Sequence, residues 1–123
     1  MNKIQVIVVP ENEYFAKRLA YEEVIFINKK LGIPKLKTHN AKYAAPYLLD
    51  EKNKGVKRLY HIIGQFDDGK STVLKLGNSF ILDEIWDNMR NNQRFEYAEL
   101  ENFNFVEIKD GLLMSYKFKK NRT

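Results

Sequence analysis

Residues 58–76 read RLYHIIGQFDDGKSTVLKL, and this stretch decides the fold class. Two runs rich in β-forming residues flank Asp68-Gly69, and Asp-Gly between such runs strongly indicates a β-hairpin. A two-residue turn would place Gln65 opposite Thr72. One face of the hairpin is then apolar apart from His61, and the other face also carries apolar side chains. The stretch therefore predicts a strand pair that is covered on both sides, as in a barrel.

Strand and turn signals along the rest of the chain extend this prediction. We expect strands over residues 4–9, 24–27, 43–48, 58–66, 72–76, 103–109 and 112–118. Pro10 should end the first strand, Pro46 suits an edge strand, and Asp110-Gly111 predicts a second hairpin. Short helices are expected over residues 11–21, 82–89 and 97–101. Residues 1–123 thus form one α+β domain, mainly β, a small mixed barrel of about six or seven strands with two or three short helices.

Composition excludes several classes of protein. The chain has 123 residues and no cysteine, which excludes a disulfide framework and a thiolate metal site. No run of about 18 apolar residues is present, so we expect a cytoplasmic protein with no membrane segment. The 21 Lys and Arg residues exceed the 16 Asp and Glu residues, which gives a formal charge of +5. This is a modest bias towards polyanionic partners.

Residues 64–71, GQFDDGKS, match the phosphate-binding P-loop pattern letter for letter. A P-loop needs a helix after its lysine, because the helix N-terminus and backbone N–H groups hold the phosphates. Here β-forming residues 72–76 follow, and two aspartates would repel a phosphate. We interpret the match as a hairpin turn.

Two other patterns in the sequence bear on catalysis or metal binding. Glu107-Ile108-Lys109, with Asp83 upstream, resembles the acidic residues and lysine of metal-dependent nucleases. Strand alternation produces Glu-x-Lys by chance, so the nuclease is an alternative hypothesis. The two histidines are far apart in sequence, and we expect no metal and no cofactor.

Five short segments together resemble a known group of proteins. They are Val8-Val9-Pro10, KYAAPY at 42–47, LYHII at 59–63, LKLG at 74–77 and RFEY at 94–97. In their order the chain resembles small bacterial PUA-like and EVE-like barrel proteins, some of which are associated with restriction and phage defence. Members of this group often carry a tryptophan on the second strand, where this chain has Val24-Ile25-Phe26.

The resemblance implies a module without catalytic activity that binds RNA or DNA through a modified or extruded base. Lys42 and Arg94, with the basic loop over residues 29–40, would contact phosphate. The candidates for stacking on the base are Phe26, Tyr43, Tyr47 and Tyr60, and those for hydrogen bonds to its edge are His61, Asn78 and Ser79. Each tyrosine also suits the core, and His61 suits a packed position.

A second alternative is a protein–protein adaptor of a phage or defence system. It would use an apolar face around Trp86 and Phe118. The sequence leaves the oligomeric state open.

Overall fold

The computed structural model describes residues 3–11, 23–49, 52, 54–91, 93–103, 105–109 and 112–116. The strands within these residues are β1 (Gln5–Glu11), β2 (Val24–Asn28), β3 (Ala41–Leu48), β4 (Gly55–Asp67), β5 (Ser71–Trp86), β6 (Glu96–Glu99), β7 (Phe105–Lys109) and β8 (Leu112–Tyr116). Two short 3-10 helices cover Lys29–Leu31 and Leu100–Asn102. The predicted mainly β character is confirmed.

The strands belong to one mixed sheet with the order β6-β1-β3-β4-β5-β7-β8, and β2 also pairs with β5. The β1–β3 pair is parallel, and the other pairs are antiparallel. The 16-residue strand β5 has β4 along one side, with β2 and then β7 along the other. In the part of the chain that the structure describes, this path is open between β6 and β8. The expectation of a closed barrel is therefore wrong, and the described strands number eight rather than six or seven.

Both faces of the sheet are covered by apolar side chains. On β1, Val6 and Val8 belong to one core, whereas Ile7 and Val9 belong to the other. All four are at most 1% exposed, which explains the uninterrupted apolar run at the start of the chain. The first core also includes Ala45, Tyr47, Val56, Leu59, Leu82, Leu100 and Phe103, and the second core also includes Ile25, Ile27, Ala44, Leu74 and Leu76.

The hairpin around Asp68 forms, but its register differs from the prediction by two residues. Gln65 lies opposite Leu74, and Asp67 lies opposite Thr72. The Asp68 backbone N–H donates to the carbonyl of Ser71 at 3.1 Å, so the turn is centred one residue later than expected. Near the turn this even shift leaves the two faces unchanged, but the register shifts again around Ile62, which lies opposite Leu76 and packs against its core. Ile63 and Phe66 are 56% and 53% exposed, so the hairpin is not covered on both sides along its whole length.

The two aspartates of this turn bind its own backbone. Asp67 Oδ1 accepts from the N–H of Gly69 at 2.6 Å, and Asp68 Oδ1 accepts from the N–H of Ser71 at 2.7 Å. Backbone donors that a phosphate cradle would need are thus already engaged. The interpretation of residues 64–71 as a hairpin turn is confirmed.

Pro10 and Pro46 occupy different positions from those expected. Pro10 lies inside β1, beyond the end of β6, where β1 has only β3 beside it and a missing N–H is tolerated. Strand β3 is not at an edge, since it lies between β1 and β4. Pro46 falls where the β3–β4 register shifts, a bulge position that needs no ladder hydrogen bond.

The predicted helix over 82–89 is wrong, because β5 continues through Trp86, which lies opposite Val56. Residues 97–101 are also mostly not helical, since β6 runs to Glu99 before a single 3-10 turn. The helix predicted from residue 11 lies outside the described residues, apart from Glu11 at the end of β1. The second hairpin is confirmed, with Lys109 opposite Leu112.

Candidate functional site

The described residues between β5 and β6, 87–91 and 93–95, border two adjoining hollows on the surface. The first hollow, about 590 Å³, is lined by Tyr47, Lys54, Asp87, Met89, Arg90, Asn91 and Gln93. The second, about 500 Å³, is lined by His39, Arg90, Asn91, Arg94, Phe95, Glu96 and Tyr97. We call them the Tyr47 hollow and the Tyr97 hollow. Arg90 and Asn91 form the wall that they share.

Glu96, the first residue of β6, holds this shared wall in place. Its Oε1 accepts hydrogen bonds from the backbone N–H groups of Arg90 at 2.9 Å and Asn91 at 3.2 Å. Its Oε2 lies 3.7 Å from Arg90 Nε. The Glu96 side chain is 13% exposed and that of Arg90 is 82% exposed. The carboxylate is therefore a structural anchor, and the guanidinium remains accessible to a ligand.

An aromatic stack forms one side of the Tyr97 hollow. The His39 imidazole lies almost parallel to the Tyr97 ring, with centroids 3.9 Å apart and an interplanar angle of 10°. Phe95 meets Tyr97 edge-on at 6.0 Å. The Tyr97 hydroxyl accepts the backbone N–H of Lys35 at 3.0 Å, and burial raises the pKa of this hydroxyl. At neutral pH Tyr97 is therefore a neutral, fixed support for His39.

The Tyr47 hollow is built differently, because Tyr47 belongs to the core. Its ring is 2% exposed and meets Trp86 edge-on at 6.3 Å. Its hydroxyl donates to the carbonyl oxygen of Asp87 at 3.2 Å, and burial raises the pKa of this hydroxyl, with Asp87 and Glu96 adding to the effect. Tyr47 thus attaches residue 87 to the sheet and offers no ring face to a base.

Among the residues predicted to bind a ligand, Arg94 lies in the Tyr97 hollow and is exposed. Four others form two cross-strand pairs elsewhere. Tyr43 lies opposite His61, with ring centroids 5.6 Å apart, and Tyr60 lies opposite Ser79. His61 is exposed, so of the two possibilities left open by the sequence, the packed histidine is wrong.

These two pairs are on opposite faces of the sheet, because neighbouring residues of a strand point to opposite sides. Tyr43 packs against the core that contains Leu59, and Tyr60 packs against the other core. One base could not contact both tyrosines. Of the remaining candidates, Phe26 lies on β2 opposite Val73, and Lys42 and Asn78 are exposed on β3 and β5.

The structure does not assemble the acidic residues of the nuclease alternative. Ile81 of β5 pairs with Val106 of β7, which separates the backbone positions of Asp83 and Glu107 by three residues along the ladder. At about 3.3 Å per residue, this is roughly 10 Å. Among the residues searched, which are those that the structure describes, no group of three His, Cys, Asp or Glu side chains could hold a metal ion.

Most residues of the Tyr97 hollow could not be recognised from the sequence. His39 had no partner nearby in sequence, and its contact with Tyr97 joins segments that only the fold brings together. The RFEY segment at 94–97 was singled out, but only Arg94 was assigned a role. The alternation of side chains along a strand could have indicated this hollow, since it places Phe95 and Tyr97 on one side and Glu96 on the other.

No family model, curated protein or solved structure matches the chain. Among the described residues, no helix is both long and apolar enough to cross a membrane. The described residues define a mainly β protein with one mixed sheet and two adjoining surface hollows beside residues 87–91 and 93–97.

Proposed function

We propose that this protein is a nucleic-acid-binding module without catalytic activity, and that it binds through the two hollows at residues 87–97. The observation that carries the proposal is the combination of cations and aromatic rings at one place. Lys54, Arg90 and Arg94 line the hollows, and the His39–Tyr97 stack borders one of them. Cations with exposed rings are what single strands need for backbone and base contacts.

The charges at this surface favour a phosphate ligand. Two carboxylates, Asp87 and Glu96, also line the hollows, but Glu96 accepts two backbone N–H groups and lies near Arg90. The guanidinium groups of Arg90 and Arg94 are exposed, and guanidinium forks suit phosphate oxygens. Lys35 and Lys37 are exposed in the turn that carries His39, so they extend the cationic surface.

The size of the Tyr97 hollow suits a base. Its volume of about 500 Å³ lies within the roughly 300–1,000 Å³ of small-molecule sites. Together with the cations and rings described above, this volume supports our proposal that the ligand is RNA or DNA with a modified or extruded base. The resemblance to PUA-like and EVE-like proteins, which rests on short sequence segments, points to the same class of ligand.

The alternatives have less support. Trp86, the centre of the proposed adaptor face, is only partly exposed and packs on Phe103 with centroids 4.8 Å apart. Phe118 lies outside the described residues. The register separates Asp83 from Glu107, as described above.

Fluorescence anisotropy with labelled single-stranded and duplex RNA and DNA, over a series of salt concentrations, tests the proposal. We expect binding that weakens as salt rises. Arg90→Gln and Arg94→Gln should each reduce the slope of log K against log salt by about 0.7, the value for one lost phosphate contact on a single strand. Added magnesium should leave the oligonucleotide intact.

Arg58→Gln is the matched control. Arg58 is also an exposed arginine, but its Nη1 donates to Ser79 Oγ at 3.4 Å, away from both hollows. Its loss should change the salt slope much less than the loss of Arg94. Absence of binding at low salt, or an Arg58→Gln effect equal to that of Arg94→Gln, would overturn the proposal.

A further inference from the structure

We infer that the ligand is single-stranded nucleic acid and that one unpaired base stacks on the His39 imidazole in the Tyr97 hollow. This inference rests on the proposed function and specifies its ligand. It assigns base stacking to a residue of the basic loop over 29–40, for which the sequence predicted only phosphate contacts. It also excludes the interior of an intact duplex as the preferred target.

The stack is held in place before any ligand arrives. Tyr97 is fixed by the hydrogen bond from Lys35 N–H to its hydroxyl and by the edge of Phe95. The backbone of His39 is held by its N–H, which donates to the Lys35 carbonyl at 3.1 Å, and its imidazole is held by the stack on Tyr97. A ring that already lies in this position binds with a smaller entropy loss.

One face of the His39 ring is available for a ligand. Tyr97 covers the first face at 3.9 Å, yet the residue is exposed and lines the hollow. A base placed on the second face would continue the stack as a third parallel ring. Every base offers such a face, so the contact tolerates different sequences.

A base within a duplex cannot make this contact, because its neighbours in the helix already cover both of its faces. A single strand exposes base faces without that cost. Arg94 and the shared-wall residue Arg90 line the same hollow, within reach of the phosphates that flank a stacked base. The hollow thus combines a stacking surface with cations for one nucleotide and its neighbours.

Anisotropy with an oligothymidine and with the same strand containing abasic sites tests the inference without altering the protein. Removal of bases keeps every phosphate but removes the stacking partner. We expect the wild-type protein to bind the abasic strand about tenfold more weakly, the typical loss of one base–aromatic stack. A duplex of the same length should bind more weakly than the intact single strand.

His39→Ala should also lower affinity for the intact strand about tenfold. This variant should no longer distinguish the intact strand from the abasic one, and His39→Phe, which keeps a flat ring, should restore the difference. Phe66→Ala is the matched control, because it removes a 53% exposed aromatic ring from the β4–β5 hairpin instead. Its affinity should equal that of the wild type.

The outcomes separate this inference from the proposed function. Binding could depend on salt and on Arg94 but be unchanged by His39→Ala and by the abasic sites. This result would overturn the stacking inference and leave the proposed function standing. Equal affinity for duplex and single strand would do the same. No binding to any nucleic acid at low salt would overturn both.

Discussion

Glu96 Oε1 lies 2.9 Å from the backbone nitrogen of Arg90, and this hydrogen bond joins the first residue of β6 to the wall between the two hollows. Together with the bond from Asn91 N–H, it satisfies two consecutive backbone donors with one mostly buried carboxylate. The shape of both hollows therefore depends on a residue that opposes the charge of the proposed ligand.

Replacement of Glu96 should separate the effect of its hydrogen bonds on stability from the effect of its charge on ligand binding. Glu96→Ala removes the acceptor and should lower the free energy of unfolding by about 2 kcal/mol, as expected for hydrogen bonds to a charged group. Glu96→Gln keeps an oxygen acceptor and removes the charge, so it should cost less stability and bind a single strand more tightly. Urea unfolding and anisotropy measure the two quantities. Equal stability losses in both variants would contradict the anchoring role.

Gly55, at the start of β4, should not tolerate a side chain. Its φ is +123°, and a Cβ there would lie 2.5 Å from Ile85 Cγ2 and 2.7 Å from the carbonyl oxygen of Trp86. Gly55→Ala combines backbone strain with overlap and should lower the free energy of unfolding by about 3 kcal/mol.

Gly69→Ala is the comparison for this prediction. Gly69 also has a positive φ, +98°, but nothing lies within 4 Å of its missing Cβ. Only the strain remains there, and the expected loss is about 1 kcal/mol. Urea unfolding of both variants provides the test. Similar losses would show that overlap at Gly55 is relieved by movement of the β5 backbone.

Tyr47→Phe tests the assignment of Tyr47 to the core. The variant loses the hydrogen bond to the Asp87 carbonyl but keeps the edge contact with Trp86. We expect a loss of about 1 kcal/mol in the free energy of unfolding, the usual value for one hydrogen bond. Affinity for a single strand should change little. Weaker binding with unchanged stability would instead favour the ligand-binding role predicted from the sequence.

The sequence predicted the elements of this fold better than their pairing. Asp68-Gly69 correctly indicated where the hairpin turns. However, the consecutive residues Asp67 and Asp68 can each accept N–H groups of the turn, and the sequence does not show which of them lies at its centre. Trp86 is the last residue of strand β5 because it pairs with Val56, although the local spacing of apolar residues favoured a helix. The parallel β1–β3 pair joins distant segments, and no local pattern reports it.

The candidate site was harder to predict than the fold. Tyrosines serve equally well in a core and on a binding surface, and the structure buries Tyr47 but leaves Tyr43 partly exposed. Arg94 was predicted because it lies in one of the segments that carry the resemblance to PUA-like and EVE-like proteins. His39 was not predicted to stack on a base, because its role depends on its contact with Tyr97. The pairing of β6 with β1 brings Tyr97 to this position.

Glu11 should make the stability of the protein depend on pH. It ends β1 and is 8% exposed, and burial raises its pKa from an ordinary value of 4.5 to about 7. The folded chain therefore holds a proton that the unfolded chain releases at lower pH. The stabilisation from the protonated Glu11 carboxyl is complete below the pKa that this group has in the unfolded chain. It is lost as the pH rises through the pKa that the group has in the folded chain. The total loss from this group should be about 3 kcal/mol.

Glu11→Gln resembles the protonated carboxyl and should remove this dependence. We expect its free energy of unfolding to match that of the wild type near pH 4 and to exceed it near pH 8. Urea unfolding across this range provides the measurement. All other ionisable groups are the same in both proteins, so their contributions cancel in the difference. A difference that does not change with pH would show that Glu11 is hydrated or paired in the folded state.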